Sequence, residues 1–349
     1  MYRVFVASLS ALLLTLQLVH SPVSAQSSET AEAGEFFGAI QTTHPDWFKE
    51  SFLEFEEDID EAAEQGKRLV LYFHQDGCPY CNLLVEHNFK NPDILDTMQA
   101  NFDLVAINMW GDREVVQVGG RPFTEKTLAS ALNVDFTPTL LFFSENRKVV
   151  FRLDGYRPPE EFTHILDYVS GRLENEFTYS EYLASTGRTD TSSPLGEAGW
   201  PMAGLTDLSR AGTRPLAVLF EEPDCEPCNL LHHKTFKDES AAPILEQFNI
   251  VRYNRWSDDR VVRPDGTPST VRQWALDLGL GFTPAIVLYD TRGNKVIALD
   301  AMFKTFHVLG AFEYVASGAH EHEPSFQRYL SERAEHIRAT GQDVDIWRY

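Results

Sequence analysis

Short apolar runs alternate with longer amphipathic stretches along the first half of the chain. Continuous apolar runs of this kind predict buried strands, and apolar positions three or four apart predict helices. The predicted strands are residues 69–73, 104–107, 140–143 and 149–153, and the predicted helices are residues 47–64, 78–89, 92–100, 125–132 and 159–169. This order predicts an α/β fold with a central mixed β-sheet flanked by helices.

The second half of the chain repeats the first at an offset of 146 to 147 residues. Residues 81–84 (Cys-Asn-Leu-Leu) recur at 228–231, and residues 136–138 (Phe-Thr-Pro) recur at 282–284. A repeat of this length predicts two domains of the same fold. We assign domain 1 to residues 46–184 and domain 2 to residues 201–349. Residues 185–200 between them are rich in Ser, Thr, Gly and Pro, which is typical of a flexible linker.

The first 25 residues have the pattern of a secretory signal peptide. Arg3 is followed by an apolar stretch over residues 4–19 and by small residues ending at Ala25. We therefore expect cleavage near Ala25, a periplasmic or otherwise exported protein, and a polar lead-in over residues 26–45 that begins disordered. An uncleaved membrane anchor is the alternative, but the apolar stretch is shorter than the roughly 20 residues that span a bilayer.

The chain is strongly acidic, with 30 Lys and Arg residues against 52 Asp and Glu residues and a formal net charge of −22. Loss of residues 1–25 would remove only Arg3 among the charged side chains and leave −23. Such a charge disfavours binding to nucleic acid and to anionic lipid.

The four cysteines form two close pairs, Cys78 with Cys81 and Cys225 with Cys228. A bridge across two intervening residues removes little entropy from the unfolded chain, so it is a poor structural crosslink but a suitable redox switch. Structural zinc is the alternative use of Cys-x-x-Cys. Zinc sites pair two such motifs roughly 15 to 20 residues apart, whereas 143 residues separate these two, so we predict no metal and no cofactor.

In each copy a predicted strand ends a few residues before the first cysteine, and an amphipathic helix starts at that cysteine. A helix N-terminus offers unpaired N–H groups and a positive dipole end, which stabilise a thiolate over a thiol. We expect Cys78 and Cys225 to be exposed nucleophiles, and Cys81 and Cys228 to lie one turn inside and to resolve the mixed disulfide.

With these motifs and this element order, nearly all of the chain after residue 25 resembles the thioredoxin superfamily, as two tandem thioredoxin-like domains. A second signature supports the resemblance, because Thr-Pro occurs just before the third predicted strand of each copy. The family carries a cis-proline there, facing the active-site cysteines. The resemblance implies that Thr137, Pro138, Thr283 and Pro284 contact substrate.

The segment from Tyr72 to Cys81 is similar to periplasmic SoxW-type thioredoxin-like proteins. Its Pro79-Tyr80 dipeptide is also used by glutaredoxins, and we assign Pro79 and Tyr80 to substrate binding on this resemblance. The chain departs from ordinary thioredoxin in having Tyr72 and Leu219 where that family has a buried acid. His74 or Glu221 is the candidate for proton handling in its place.

Acidic residues crowd the second motif: Glu221, Glu222, Asp224 and Glu226. Negative charge opposes thiolate formation, and a less stable thiolate makes a pair more reducing. The sequence therefore predicts that electrons pass from Cys225 and Cys228 to Cys78 and Cys81.

Other aromatic and histidine residues have structural as well as functional interpretations. Trp110 and Trp256 are either packing residues or walls of a groove, with packing favoured. His232 and His233 face either the second site or solvent, and His320 with His322 provides too few ligands for a metal.

The predicted function is reduction of disulfides in exported proteins by thiolate attack and mixed-disulfide resolution. A membrane thiol-disulfide electron donor would then be a partner, because the periplasm is kept oxidising. A disulfide oxidase or isomerase of protein folding is one alternative. A chaperone-like tandem domain that binds extended polypeptide is the other, although a binder needs none of the four cysteines.

Overall fold

The structure is a computed structural model, and it describes residues 1–2, 32–186, 193–209 and 212–349. The strands are β1 Phe36–Phe37, β2 Arg68–His74, β3 Phe102–Asn108, β4 Glu114–Gln117, β5 Arg121–Thr124, β6 Thr139–Phe143, β7 Val149–Asp154, β8 Leu216–Glu221, β9 Asn249–Asn254, β10 Arg260–Val262, β11 Pro268–Thr270, β12 Ala285–Tyr289, β13 Lys295–Leu299 and β14 Val344–Asp345.

The helices lie between and around these strands. They are α1 Phe55–Glu64, α2 Pro79–Leu83, α3 Pro92–Asn101, α4 Glu125–Ala131, α5 Pro159–Ser170, α6 Tyr179–Ser185, α7 Glu226–His233, α8 Ala242–Leu245, α9 Val271–Asp277, α10 Thr305–Ala316 and α11 Phe326–Ala339. Helix α2 continues directly into a π-helical segment, Leu84–Asn88.

Each half of the chain contains a four-stranded mixed sheet of the same plan. The strand order is β3-β2-β6-β7 in domain 1 and β9-β8-β12-β13 in domain 2. In both sheets the first two strands run parallel and the other neighbours run antiparallel. The predicted α/β class with a mixed sheet is therefore confirmed, and so are the four predicted strands of domain 1, which are extended by up to two residues at their ends.

Hydrophobic side chains cover both faces of each sheet. In β2, Val70 and Tyr72 pack with the helix that carries Cys78, while Leu71 and Phe73 pack on the opposite face. The alternation follows from the strand period of two residues. Because both faces are buried, β2 is a continuous apolar run, which is the pattern that predicted it.

Two predicted helices differ from the structure. The helix predicted over residues 47–64 begins only at Phe55, because Leu53 has a left-handed φ of 66° and its N–H donates to the Ser51 hydroxyl instead of continuing a helix. The helix predicted over 78–89 changes to π geometry at Leu84. The sequence pattern does not predict the β4–β5 hairpin, because its strands are only four residues long and just one of their eight residues is buried.

The predicted polar lead-in falls partly outside the described residues. From residue 32 onward it is not free: the Gly34 N–H donates to the Arg338 carbonyl, and β1 pairs in parallel with β14 at the other end of the chain. The expected disorder is therefore wrong for Gly34. Backbone hydrogen bonds to α11 and β14 hold this segment, and composition gives no indication of such partners.

The predicted linker also falls partly outside the described residues. Its described part packs on domain 2, where Arg252 donates to the Gly196 carbonyl at 2.7 Å. At Gly199 an added Cβ would come within 1.8 Å of the His232 carbonyl oxygen, so only glycine fits there. Gly196 and Gly199 therefore lie against domain 2 rather than in a free linker, and the domain boundaries stay predictions.

The two domains contact each other through buried polar and apolar groups. Arg157 of domain 1 donates to the Asp300 carboxylate of domain 2 at 3.0 Å and lies over the Phe282 ring. The Asp300 carboxylate also accepts the N–H groups of Gly281 and Phe282. Phe136, which precedes the first Thr-Pro pair, packs within the domain 2 core.

In the part of the chain that the structure describes, no helix is both long and apolar enough to cross a membrane. The predicted signal peptide lies almost entirely outside the described residues.

We predict that Arg157→Met lowers the free energy of unfolding by about 2 kcal/mol. Loss of one partner from a fully buried ion pair costs about 3–5 kcal/mol, and Asp300 keeps its two backbone donors and some exposure to solvent. Arg147→Met is the matched control, because Arg147 pairs with Asp60 and Glu56 at the surface, where such pairs contribute about 0–1 kcal/mol. Denaturant unfolding measures both changes, and equal losses would contradict the prediction.

Candidate functional site

Each Cys-x-x-Cys pair lies where a central strand gives way to a helix. Cys78 follows β2 and is the N-cap residue of α2, and Cys225 follows β8 and is the N-cap residue of α7. Pro79 and Pro227 lie in the first turn of these helices, where a residue without an N–H group is tolerated and its fixed φ favours helix initiation. The sequence thus places the leading cysteine of each pair at a helix N-terminus.

The leading sulfur of each pair accepts a backbone hydrogen bond from the second cysteine. The distance from N to Sγ is 3.0 Å from Cys81 to Cys78 and 3.1 Å from Cys228 to Cys225. This bond satisfies one of the unpaired N–H groups of the helix start. When the pair is reduced, the same N–H stabilises negative charge on that sulfur.

Both pairs are disulfide-bonded, Cys78 to Cys81 and Cys225 to Cys228. The exposed fraction is 4% for Cys78 and 9% for Cys225, against 1% and 3% for their partners. The expectation that the leading cysteines are exposed is therefore wrong for this oxidised form. The predicted order of burial within each pair nevertheless holds, because the second cysteine is the more buried one in both.

The two Thr-Pro pairs have cis peptide bonds. Thr137 lies directly against the first disulfide, where its hydroxyl donates to Cys78 Sγ at 3.3 Å and its carbonyl oxygen lies 3.5 Å from the same sulfur. Pro284 lines a small cavity together with Pro227 of the second motif. The structure thus brings Thr137 to the first cysteine pair and Pro284 to the second motif.

Gln75 connects the Thr-Pro loop of domain 1 to a tryptophan. Its side-chain amide donates to the Thr137 hydroxyl at 3.0 Å, and its oxygen accepts from the Trp110 indole at 2.8 Å. The same amide nitrogen donates to Gln327 of domain 2 at 2.9 Å. Gln75 thereby joins the Thr-Pro loop, the indole and the neighbouring domain.

Glu222 makes the equivalent connection in domain 2. One carboxylate oxygen accepts from the Thr283 hydroxyl at 2.7 Å, and the other accepts from the Trp256 indole at 3.0 Å. The sequence does not predict Gln75 as a site residue, and it indicates Glu222 only as a charge near the second motif. Their common offset of 147 residues, which the cysteines share, is the signal that could have identified them.

The two tryptophans differ in exposure. Trp256 is buried, as the favoured packing interpretation predicts, and the Arg255 guanidinium lies over its ring. Trp110 is 36% exposed, and Arg328 of domain 2 lies over its ring at 5.8 Å. Packing is therefore correct for Trp256, whereas Trp110 is a partly exposed wall between the domains.

Domain 2 covers the first site. A cavity of about 370 Å³ lies above the first cysteine pair, with walls from both domains that include Cys78, Thr137, Phe306, His307 and Leu330. This volume is within the size range of small-molecule and side-chain pockets. The Cys78 sulfur is therefore approached from the space between the domains.

Tyr80 lies in the domain interface rather than on an open surface. Its hydroxyl accepts the Lys304 N–H at 2.8 Å and lies 3.2 Å from His307 Nδ1, and its ring packs against Trp347. Burial raises the pKa of Tyr80, so the hydroxyl stays protonated. Pro79 is also buried and lines the same cavity. The substrate role of Pro79 and Tyr80 stays a prediction, and for Tyr80 it would require domain 2 to move away.

The two candidates for proton handling have different environments. Burial, together with the neighbouring His44, lowers the pKa of His74 to about 4, so its imidazole is neutral at ordinary pH. Glu221 is fully buried, and its carboxylate contacts His232 at 2.8 Å and Arg252 at 2.7 Å. These contacts leave His232 buried rather than facing solvent, whereas His233 is exposed.

The family model of the thioredoxin-like domain matches residues 55–170 and 205–315 of this chain. A thioredoxin-fold protein from Helicobacter pylori is 22% identical over 35% of this chain and 80% of its own, with a TM-score of 0.31. The periplasmic thioredoxin SoxS from Paracoccus pantotrophus is 24% identical over 31% of this chain and 99% of its own, with a TM-score of 0.22.

The first two thioredoxin domains of Eps1p from Saccharomyces cerevisiae are 15% identical over 70% of this chain and 88% of theirs, with a TM-score of 0.25. No curated protein was found to match the chain.

We predict that acid destabilises the fold partly through His74. Its pKa is about 4 in the folded protein and near the ordinary value of 6.5 when unfolded. As the pH falls through this window, the unfolded state binds the proton first, so stability falls by up to about 1.4 kcal/mol per pH unit. His74→Gln removes this contribution. As the pH falls across the window, the unfolding free energy of wild type should decrease more steeply than that of the variant, and parallel curves would contradict the assignment.

Proposed function

We propose that this chain, which belongs to the thioredoxin-like domain family, reduces disulfide bonds in exported proteins. It has a disulfide-forming Cys-x-x-Cys pair in each domain and is therefore a thiol-disulfide oxidoreductase. The observation that carries the proposal is that the leading sulfur at each helix start accepts a hydrogen bond from a backbone N–H. The exported location rests on residues 1–25. An N-terminal sequence of the mature protein starting just after Ala25 would support it, and an intact leader would oppose it.

The reaction at either site has two displacement steps. The leading thiolate attacks one sulfur of a client disulfide, and the other client sulfur departs as a thiolate that takes up a proton. The second cysteine then loses its proton and attacks the leading sulfur, which releases the first client sulfur. The client gains two electrons and two protons, and the site ends as the disulfide described above.

The substrate loops provide a surface beside the leading sulfurs. We assign substrate contact to Thr137, Pro138, Thr283 and Pro284, supported by the contacts of Thr137 with Cys78. Because the Cys78 sulfur lies under domain 2, a client must enter as an extended segment rather than as a folded surface. This access favours unfolded or partly folded exported proteins as clients of the first site.

We further propose that electrons pass from the second site to the first. The Thr137 hydroxyl donates to Cys78 Sγ, which stabilises the reduced form of the first pair, whereas the Thr283 hydroxyl donates to Glu222. Stabilising the thiolate makes a pair more oxidising. The second pair is then the stronger reductant, and a membrane thiol-disulfide donor would recharge it.

Single-site variants test the direction of electron flow. Cys225→Ser with Cys228→Ser leaves only the first pair, and Cys78→Ser with Cys81→Ser leaves only the second. We expect the second pair to have the lower reduction potential when each is equilibrated with a dithiol buffer. A second pair that is more oxidising than the first would overturn the direction but leave the oxidoreductase activity in place.

Activity assays separate the proposal from its alternatives. We expect the reduced protein to reduce insulin faster than it reactivates scrambled ribonuclease, whereas the opposite order would favour an isomerase. Cys78→Ser with Cys225→Ser should abolish insulin reduction. If that variant instead kept the full effect of the wild type on aggregation of an unfolded client, and the wild type showed no reductase activity, a chaperone-like binder would be the better description.

A further inference from the structure

We propose that Gln75 and Glu222 are positioning residues that make the two disulfides differ in reduction potential by controlling the hydroxyl of the Thr-Pro loop. The inference rests on the proposed function, because it requires that both cysteine pairs cycle between dithiol and disulfide. It concerns side chains outside both Cys-x-x-Cys motifs.

The two residues occupy the same place in the repeat and have the same two partners. Each lies three positions before the leading cysteine, and each joins an indole N–H to a threonine hydroxyl. The indole contacts are nearly equal in length, 2.8 Å in domain 1 and 3.0 Å in domain 2. Both residues therefore join the same two partners, and the chemical difference between them is that of an amide and a carboxylate.

That difference decides the direction of the threonine hydrogen bond. A hydroxyl has one proton to donate, and a carboxylate can only accept. In domain 1 the Gln75 amide donates to Thr137, so the hydroxyl proton is free to reach Cys78 Sγ, at an oxygen-to-sulfur distance of 3.3 Å. In domain 2 the Thr283 hydroxyl donates its proton to Glu222.

The consequence is electrostatic. When a pair is reduced, a hydroxyl that donates to the leading sulfur stabilises the thiolate, as hydrogen bonding to a charged form does in general. The reduction itself adds two electrons and two protons to a disulfide, so any stabilisation of the thiolate raises the potential of that pair. Gln75 allows this stabilisation at the first site, and Glu222 withholds it at the second.

Reciprocal substitutions in the single-site proteins test the inference. Gln75→Glu, in the protein that keeps only the first pair, should lower its reduction potential. Glu222→Gln, in the protein that keeps only the second pair, should raise it. We expect each change to shift the exchange constant with a reference dithiol at least tenfold, which is about 30 mV for a two-electron couple.

Two matched controls distinguish the proposed effect on the threonine hydroxyl from a general effect of negative charge near the sulfur and from an effect of the contact between the domains. Glu226→Gln removes an exposed carboxylate next to Cys225, and we expect a smaller shift from it than from Glu222→Gln. Gln327→Ala removes the domain 2 partner of Gln75 and should leave the potential of the first pair unchanged. A shift from Glu226→Gln as large as that from Glu222→Gln would overturn the inference.

A double-mutant cycle identifies the threonine as the mediator. In a Thr283→Val protein the hydroxyl is absent, so Glu222→Gln should then change the potential much less than it does with threonine present. If Glu222→Gln shifted the reduction potential equally with and without the threonine hydroxyl, Glu222 would act on the sulfur without the hydroxyl, and the inference would be overturned. If a pair showed no reversible potential at all, the proposed function would fail and the inference with it; reversible but insensitive potentials would reject the inference alone.

Discussion

Both sites depend on one interaction, the hydrogen bond from a backbone N–H at the start of a helix to the leading sulfur atom. The N–H of the second cysteine is fixed by the helix, so the stabilisation of charge on the leading sulfur is built into the main chain. In each domain a central strand of the mixed sheet ends just before this helix. The Thr-Pro loop comes directly before the strand that pairs antiparallel with that central strand. Chemistry and fold are therefore linked through one short stretch of backbone.

Duplication gave the chain two such sites, and their surroundings have diverged. Domain 2 covers the first site, and the Tyr80 hydroxyl of its motif contacts Lys304 and His307 of that domain. The second has acids around it, of which Glu221 forms an ion pair with Arg252 and contacts His232. The two sites share the same main-chain design, so their difference must come from side chains that approach the sulfur and from what covers it.

Much of the fold could be predicted because the relevant signals are local or repeated. Buried strands are continuous apolar runs, and the cysteine pairs and Thr-Pro pairs recur at one offset. The burial of Tyr80 could not be predicted, because its partners lie more than 200 residues away and a contact between domains leaves no periodic pattern. The late start of α1 was missed because one left-handed residue, Leu53, interrupts an otherwise amphipathic stretch.

Placement of Gln75 and Glu222 shows where prediction from sequence ends. Both side chains precede the cysteines by three positions, but only the structure shows that each contacts an indole and a threonine hydroxyl. The charge of Glu222 alone suggests a weak and general effect on the second thiol pair, and Gln75 carries no charge. Their hydrogen bonds suggest a specific effect, because one hydroxyl proton cannot serve a carboxylate and a sulfur together.

The most direct test of the central claim is the pH at which each leading thiol ionises. Variants with Cys81→Ser or Cys228→Ser and the other pair removed leave one leading cysteine, whose thiolate can be followed by its ultraviolet absorbance. We predict that both thiolates form at a lower pH than free cysteine, which ionises at roughly 8.5, and that Cys78 ionises before Cys225. Ionisation of both at or above the pH of free cysteine would contradict the account.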